Sequence, residues 1–386
     1  MKTISHYPRE YTFLRLFNFR KELIMYITYL QSNNNTTLED YLNYGFVTEP
    51  TINKHTYKKQ NAQITAPLKE HILREAKRLA EIQINIEYSI FRIPKKTGGY
   101  REICAPTPQL KTYLTNVANF FKNTCKLLEH DSAYAYIKGR CIKDVKIKHK
   151  NNNSRWFLHL DLKDFFPSCN KTFIIKQLNQ LFPLACLTEN NEFQQHLSKI
   201  IDNCLFEGGL PQGSPCSPIL TNLIMLPIDF EINEKLKNFE HSHYVYTRYA
   251  DDIEISNKYN FTYNNIINNV IKEILKDTPL KIKHEKTHYG NISGSNYSLG
   301  LILNKDGKIS TGHEKRQKFR AALHQGYLLT NETEDAIIKA HRLLGLIAYN
   351  QNIDKDYTNY CILKYNSKFN KNLINHLKKS NILIKQ

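Results

Sequence analysis

Two adjacent carboxylates, Asp251 and Asp252, stand inside the run His243-Tyr244-Val245-Tyr246-Thr247-Arg248-Tyr249-Ala250-Asp251-Asp252-Ile253-Glu254-Ile255-Ser256. β-Branched and aromatic residues with interleaved polar ones flank the pair, which predicts strand, tight turn, strand. The turn would hold two like charges side by side. A cation relieves that repulsion, and hard divalent ions prefer oxygen ligands. A third acid fits the same chemistry. Trp156-Phe157-Leu158-His159-Leu160-Asp161 is an apolar run that, as a buried strand, delivers Asp161 at its carboxyl end. Two oxygen-ligated metals about 3.5–4 Å apart are the usual apparatus for in-line displacement at phosphorus. A lone Asp-Asp turn is commonly just solvated, so the weight falls on the segments around it.

Several elements must position these acids. Residues 1–70 read as a polar helical segment broken at Ser32-Asn33-Asn34-Asn35. Pro67 to about Ile84 has helical periodicity, with Leu68, Ile72, Leu73, Ala76, Leu79 and Ala80 on one face. Phe91 to Ile103 predicts a β-hairpin turning at Gly98-Gly99, with Lys95, Lys96 and Arg101 around it. Such a hairpin lays cations over phosphates, unless it is only a solvated loop. Pro106 and Pro108 end it, and a helix from about Gln109 to Leu128 follows. Thr172 to Asn203 predicts two helical pieces. The run Gly208-Gly209-Leu210-Pro211-Gln212-Gly213-Ser214-Pro215-Cys216-Ser217-Pro218 opens an apolar helix from Ile219 to about Phe239. A Gly/Pro-rich loop of this kind brings backbone N–H groups close to a ligand. A helix from about Tyr263 to Lys276, a strand-like Tyr297–Leu303 turning at Asp306-Gly307, and a basic helical tail from His313 complete the chain.

Composition narrows the partners. The chain has 386 residues and a net charge of +18, with 54 Lys+Arg against 36 Asp+Glu. That excess suits a polyanion. The 24 tyrosines and 19 phenylalanines could stack on bases, although most suit a core or half-buried strands. Eight cysteines include no Cys-x-x-Cys and no zinc spacing, so reduced thiols in a cytoplasmic protein are expected. Neither a secretory signal nor a membrane-length apolar run is seen.

In order, these segments resemble the palm and fingers motifs of reverse transcriptases, closest to the bacterial retron and defence-associated group. The resemblance covers roughly residues 90–350. It rests on Leu160-Asp161-Leu162-Lys163-Asp164-Phe165-Phe166, Leu210-Pro211-Gln212-Gly213-Ser214-Pro215 and Tyr249-Ala250-Asp251-Asp252. It implies that Asp161, Asp251 and Asp252, with the Leu162 carbonyl, hold two Mg²⁺ ions, Mn²⁺ serving as a substitute. It also implies that Phe166 gates the sugar against a 2′-hydroxyl, or else packs in the core. Gln212 would lie near the incoming nucleotide, and Arg101 with Lys95 or Lys96 would clamp its triphosphate. Lys286 would protonate departing pyrophosphate, unless it is a solvated strand-end lysine. The Leu299-Gly300 turn would support the primer end.

Two more segments resemble retrons. Ala135-Tyr136-Ile137-Lys138-Gly139-Arg140-Cys141-Ile142 is similar to a retron stretch followed by Asn-Ala-x-x-His, but Val145-Lys146-Ile147-Lys148-His149 keeps only the histidine. The retron Val-Thr-Gly triplet is Ser298-Leu299-Gly300 here. These departures point to a divergent retron or a defence-associated enzyme. Arg342–Tyr349 resembles a thumb helix of the group, and no added protease, nuclease, maturase or integrase segment is seen.

The expectation is an α+β right-hand polymerase, with a palm of antiparallel sheet plus helices. Its parts would be an N-terminal helical segment (1–70), fingers (71–156), palm (157–310, with a fingers-like insertion around 172–205) and a small basic helical thumb (311–386). It would add dNTPs to a primer hydroxyl on an RNA template, giving a DNA product. A structured non-coding RNA and an effector protein in an anti-phage system are the expected partners, with no membrane. Lys138, Arg140, Lys315, Arg316, Lys318 and Arg320 are the expected RNA contacts. The alternatives are template-independent or protein-primed synthesis by the same fold, an RNA-copying polymerase, and a non-catalytic nucleic-acid-binding subunit.

Overall fold

The structure is a computed structural model that describes residues 64, 66–95, 98–125, 129–239, 243–294, 296–329 and 333–382. Lys96 and most of the N-terminal helical segment lie outside the described residues. In chain order the first elements are α1 (Ala66–Glu81), β1 (Tyr88–Pro94), β2 (Tyr100–Pro106), α2 (Pro108–Thr124), α3 (Ile142–Asn151) and β3 (Trp156–Asp161). Next come α4 (Phe165–Ser168), α5 (Lys171–Leu178), α6 (Asn191–Asp202), α7 (Ser217–Lys237), β4 (Val245–Tyr249) and β5 (Asp252–Asn257). A helical run then joins Tyr263–Ile266, the π-helical Ile267–Lys272 and Glu273–Leu275. The chain continues with β6 (His288–Asn291), β7 (Ile302–Leu303), β8 (Ile309–Ser310), α8 (His313–Tyr327), α9 (Glu334–Ile353), α10 (Lys355–Phe369) and α11 (Leu373–Ile382). The larger sheet has the order β4-β5-β3-β6.

Two compact units result. The first takes the residues up to Arg140, His159–Ile255 and Thr262–Thr287. Here α1 buries Leu68, Ile72, Ala76, Leu79 and Ala80, the stripe that its periodicity predicts. Strands β1 and β2 pair antiparallel from Tyr88↔Pro106 to Pro94↔Tyr100. Gly98 and Gly99 turn the hairpin with φ of 87° and 75°, which only glycine adopts without strain. Helix α2 opens with a proline in its first turn, where no donor is lost, and stops at Thr124, short of the expected Leu128. Helix α7 is buried nearly all round, so it forms the spine against which β4 and α5 lie.

The second unit takes Cys141–Leu158, Ser256–Phe261 and the chain from His288. Helices α8 to α11 bury Phe319, Leu323, Leu343, Ile347 and Leu377 together. Gly326 permits this, since a Cβ there would stand 2.2 Å from Leu343 Cδ2. The strand-like reading of Tyr297–Leu303 needs correction, because only Ile302–Leu303 is extended. Leu299 (φ 52°) and Gly300 (φ 82°) turn the backbone, and Ser298 bridges Leu301 across that turn. His149 is fully buried. Its Nδ1 lies 2.6 Å from Ser256 Oγ, which donates to Ser154 Oγ at 2.7 Å. The histidine is therefore a core residue in this unit.

Candidate active site

The acidic pair stands where the hairpin turns. Strands β4 and β5 are joined through Ala250 and Asp251, so they must run antiparallel. Ala250 has a left-handed φ of 57°, a conformation that costs an L-residue roughly 1–2 kcal/mol. Asp252 is the first residue of β5, and Asp161 is the last of β3, its neighbour in the sheet. The Leu162 N–H donates to the Asp251 carbonyl at 3.1 Å and ties the two acid-bearing segments together. On the other side, Leu162 bridges Ile282, and the Lys283 N–H donates to the Asp161 carbonyl at 2.8 Å. The three aspartates predicted to act together thus sit at adjoining strand ends. Lys286 joins them from a short 3₁₀ turn, His284–Lys286, rather than a strand end. Its Nζ donates to Asp161 Oδ2 at 2.5 Å.

Crowding and like charge shape the electrostatics. Burial pushes the Asp251 carboxyl up, and Asp161 adds to the shift, against the opposing pull of Lys286 and Arg101. Burial, then the charges of Asp251 and Asp161, push Asp252 up to about 7. Burial pulls the Lys286 ammonium down, but its bond to Asp161 and the three acidic charges outweigh this and raise it. Among the described residues, no three His, Cys, Asp or Glu side chains are drawn together closely enough to ligate one ion as they stand. The donor chemistry nevertheless fits a hard divalent cation: carboxylates that repel one another, one of them buried and held by an ammonium. The Lys286 side chain is 52% exposed, so it can withdraw from Asp161.

The other predicted site residues lie on α4, the Gly/Pro-rich loop and the β1–β2 hairpin. Phe166 lies half-buried in α4, edge-on to Phe165 at 5.6 Å. Its carbonyl accepts from the Leu210 N–H at 3.1 Å, so the Gly/Pro-rich loop is anchored beside it. A Cβ at Gly209 would stand 2.1 Å from the Pro167 carbonyl oxygen, and one at Gly213 would stand 2.5 Å from that of Cys104. The Cys104 N–H donates to the Gln212 carbonyl at 2.8 Å. The loop carrying Gln212 is therefore wedged between β2 and α4, with its glycines required by the fit. Lys95 and Arg101 are exposed on the hairpin. The charge of Arg101 reaches Asp251, which it helps to keep ionised.

The support beneath the turn comes from residues far apart in the chain. Arg248 and Asp229 are both fully buried, with Arg248 Nη2 2.7 Å from Asp229 Oδ2. An arginine mid-strand and an aspartate mid-helix, each amid apolar neighbours, were the available signal, because buried charges are paired. Arg140 also turns inward. Its Nη1 donates to the His130 and Ala133 carbonyls, each at 2.6 Å, and its guanidinium lies 5.8 Å from the Tyr134 ring centroid. Lys138 remains exposed.

The remaining predicted contacts belong to the second unit. Lys315 Nζ donates to the Gly300 carbonyl at 3.0 Å and lies 5.5 Å from the Tyr297 ring centroid, so it braces the Leu299-Gly300 turn. Arg316 pairs with Asp354, and its guanidinium lies 4.1 Å from the Tyr357 ring centroid. Lys318 and Arg320 are exposed, with Lys318 paired to Glu314 one turn back.

The family described as reverse transcriptase (RNA-dependent DNA polymerase) matches residues 93–319. The chain is 30% identical to the retron Ec73 reverse transcriptase of Escherichia coli, over 71% of this chain and 85% of that protein. It is 26% identical to the retron Ec83 reverse transcriptase of the same organism, over 76% of this chain and 90% of that one. A solved telomerase from Candida albicans, in complex with a fragment of telomeric RNA, is similar at a TM-score of 0.44 and 14% identity. It covers 81% of this chain and 65% of its own.

Proposed function

The chain belongs to the reverse transcriptase family and is an RNA-directed DNA polymerase, and from that premise we propose that Asp161, Asp251 and Asp252 hold two Mg²⁺ ions for dNTP addition to a primer hydroxyl. The observation that supports this reading is that Asp161 and Asp251 act on Asp252 as like charges from adjoining strand ends, a repulsion that a cation would relieve. Ions held by Asp161, Asp251 and Asp252 would supply charge neutralisation at the α-phosphate and pyrophosphate and make the 3′ hydroxyl easier to deprotonate. The protein's groups do the positioning. Arg101 and Lys95, exposed on the hairpin, bind the triphosphate. The Phe166 ring closes the space a 2′-hydroxyl would need. Gln212, on a loop anchored at Phe166 and Cys104, sits against the incoming nucleotide. Lys286, already charged beside Asp161, donates a proton to the leaving pyrophosphate. The Leu162 carbonyl adds an oxygen ligand, and the Leu299-Gly300 turn supports the primer end.

The natural template is a structured non-coding RNA, and the enzyme works in the cytoplasm with an effector protein in anti-phage defence. The identity to retron enzymes favours this, and so does the net charge of +18. Eight free cysteines fit a reducing compartment, and no described helix is long and apolar enough to cross a membrane. Sequencing the nucleic acid that copurifies with the chain tests this. A single RNA species joined to, or copied into, DNA is the expected result. Heterogeneous cellular RNA with no DNA product would reject a dedicated RNA.

A further inference from the structure

Arg248 lies in β4, two residues before the left-handed Ala250. Its Nε and Nη2 donate to Asp229 Oδ1 and Oδ2, each at 2.7 Å. A two-point pairing of this kind fixes the plane of the guanidinium as well as its position. The Tyr246 hydroxyl donates to the same Asp229 Oδ1 at 2.6 Å. With the plane fixed, Nη1 is aimed at the turn and donates to the Ala250 carbonyl at 3.2 Å. The Arg248 backbone is clamped as well. Its N–H donates to the Ser132 carbonyl at 2.6 Å, and its carbonyl accepts from the Tyr134 N–H at 2.9 Å.

We propose that Arg248 is a positioning residue for polymerisation: braced by Asp229, its guanidinium holds the Ala250 carbonyl and so sets the orientation of Asp251 and Asp252. The Ala250 carbonyl and the Asp251 N–H belong to one rigid peptide plane. Fixing the oxygen fixes the plane from which the Asp251 side chain departs. A left-handed alanine persists only where its surroundings over-determine it, and the guanidinium constrains it beside the Leu162–Asp251 bond. Lysine cannot replace it, because one ammonium cannot meet both Asp229 oxygens and the carbonyl in a single plane. The bond to Asp229 alone would serve stability. The bond to Ala250 serves the turn.

The inference rests on Asp251 and Asp252 being the metal-holding carboxylates, so its test reads metal binding directly. Mn²⁺ binding to the full chain is followed by electron paramagnetic resonance, beside single-turnover dNTP addition, for wild type, Arg248→Lys, Ala250→Gly, Asp251→Asn and Leu79→Ala. Leu79 is buried in α1, so its loss lowers stability without touching the turn. The expected result for Arg248→Lys is a half-saturating Mn²⁺ concentration raised about tenfold and a kcat lowered by about tenfold or more, with template affinity unchanged. Leu79→Ala should match its loss of Tm and keep the wild-type Mn²⁺ midpoint. Ala250→Gly removes the steric cost of the left-handed φ and keeps the guanidinium–carbonyl bond, so alone it should keep the wild-type Mn²⁺ midpoint. Combined with Arg248→Lys it should recover stability but not the midpoint, which decides the matter if Arg248→Lys alone does not fold. A normal Mn²⁺ midpoint in Arg248→Lys or in the double variant overturns the proposal, as does an equal shift in Leu79→Ala. If wild type binds no Mn²⁺, or Asp251→Asn binds as tightly, the metal assignment itself fails and the proposal falls with it.

Discussion

The Lys286 ammonium donates to Asp161 Oδ2 at 2.5 Å, so the acidic cluster carries a counter-ion from its own chain. The same lysine is charged, half-exposed and within reach of Asp251 and Asp252. It can therefore release Asp161 when a metal arrives and turn its proton toward pyrophosphate. We predict that Lys286→Ala lowers kcat by about 10²-fold or more and removes the alkaline limb of the pH–rate profile, as loss of a general acid should. Mn²⁺ affinity should not weaken. A normal kcat with an unchanged alkaline limb would return Lys286 to the role of a counter-ion.

Asp252 gives the metal-free protein a distinct pH dependence. Its carboxyl titrates near 7 in the folded chain, against about 3.9 when unfolded. Between those values the folded state keeps a proton that the unfolded chain has released. The contribution of Asp252 to metal-free stability therefore falls as pH rises from about 4 to 7. A divalent ion takes over the proton's role, so Mg²⁺ should raise Tm more at pH 8 than at pH 6. Asp252→Asn should raise the metal-free Tm at pH 8 and flatten the pH dependence. Thermal melts at the two pH values check this, and an equal Mg²⁺ effect at both would contradict it.

Phe166→Ala should relax sugar selection. The ring is half-buried and its backbone is tied to Leu210, so truncation should empty a defined space. The expected gain is about tenfold or more in rNTP use relative to dNTP use, measured as the ratio of kcat/KM values. An unchanged ratio with intact dNTP kinetics would show that the ring packs rather than gates.

What was legible in the sequence was local. The run ending in Asp161, the hairpin at Asp251-Asp252 and the Gly98-Gly99 turn are set by alternation and turn chemistry, and all three are observed. The apolar face of α1 followed from 3.6-residue periodicity. The rest depends on partners far apart in the chain. Lys286 meets Asp161 across 125 positions. Nothing local tells that Asp229 on α7 answers Arg248 on β4. Tyr297–Leu303 has strand composition, yet two left-handed residues in succession break it. Basic residues on α8 could be counted but not sorted, since Lys315 and Arg316 face inward through contacts with Gly300 and Asp354.

That sorting makes a prediction about RNA binding. Charge reversal at Lys318 and Arg320, both outward-facing, should weaken RNA affinity and reduce the slope of log affinity against log salt by about one per lost phosphate contact. Removing Lys315 or Arg316 should instead lower Tm, through the Gly300 turn and the Asp354 pair. Filter-binding titrations at two salt concentrations, beside thermal melts, separate the two sets. Equal salt slopes for wild type and the Lys318/Arg320 variant would leave that face merely solvated.

Asp161, Asp251 and Asp252 together should carry metal-dependent DNA synthesis on RNA. The direct measurement is incorporation of labelled dNTP on a primed RNA template with Mg²⁺, for wild type and Asp251→Asn. Wild type should show template-directed DNA synthesis. Asp251→Asn should lose about 10³-fold or more, equivalent to roughly 4 kcal/mol of transition-state stabilisation. The Tm of the variant should not fall, since the substitution removes a repelled charge. Synthesis by Asp251→Asn at near the wild-type rate would contradict that role.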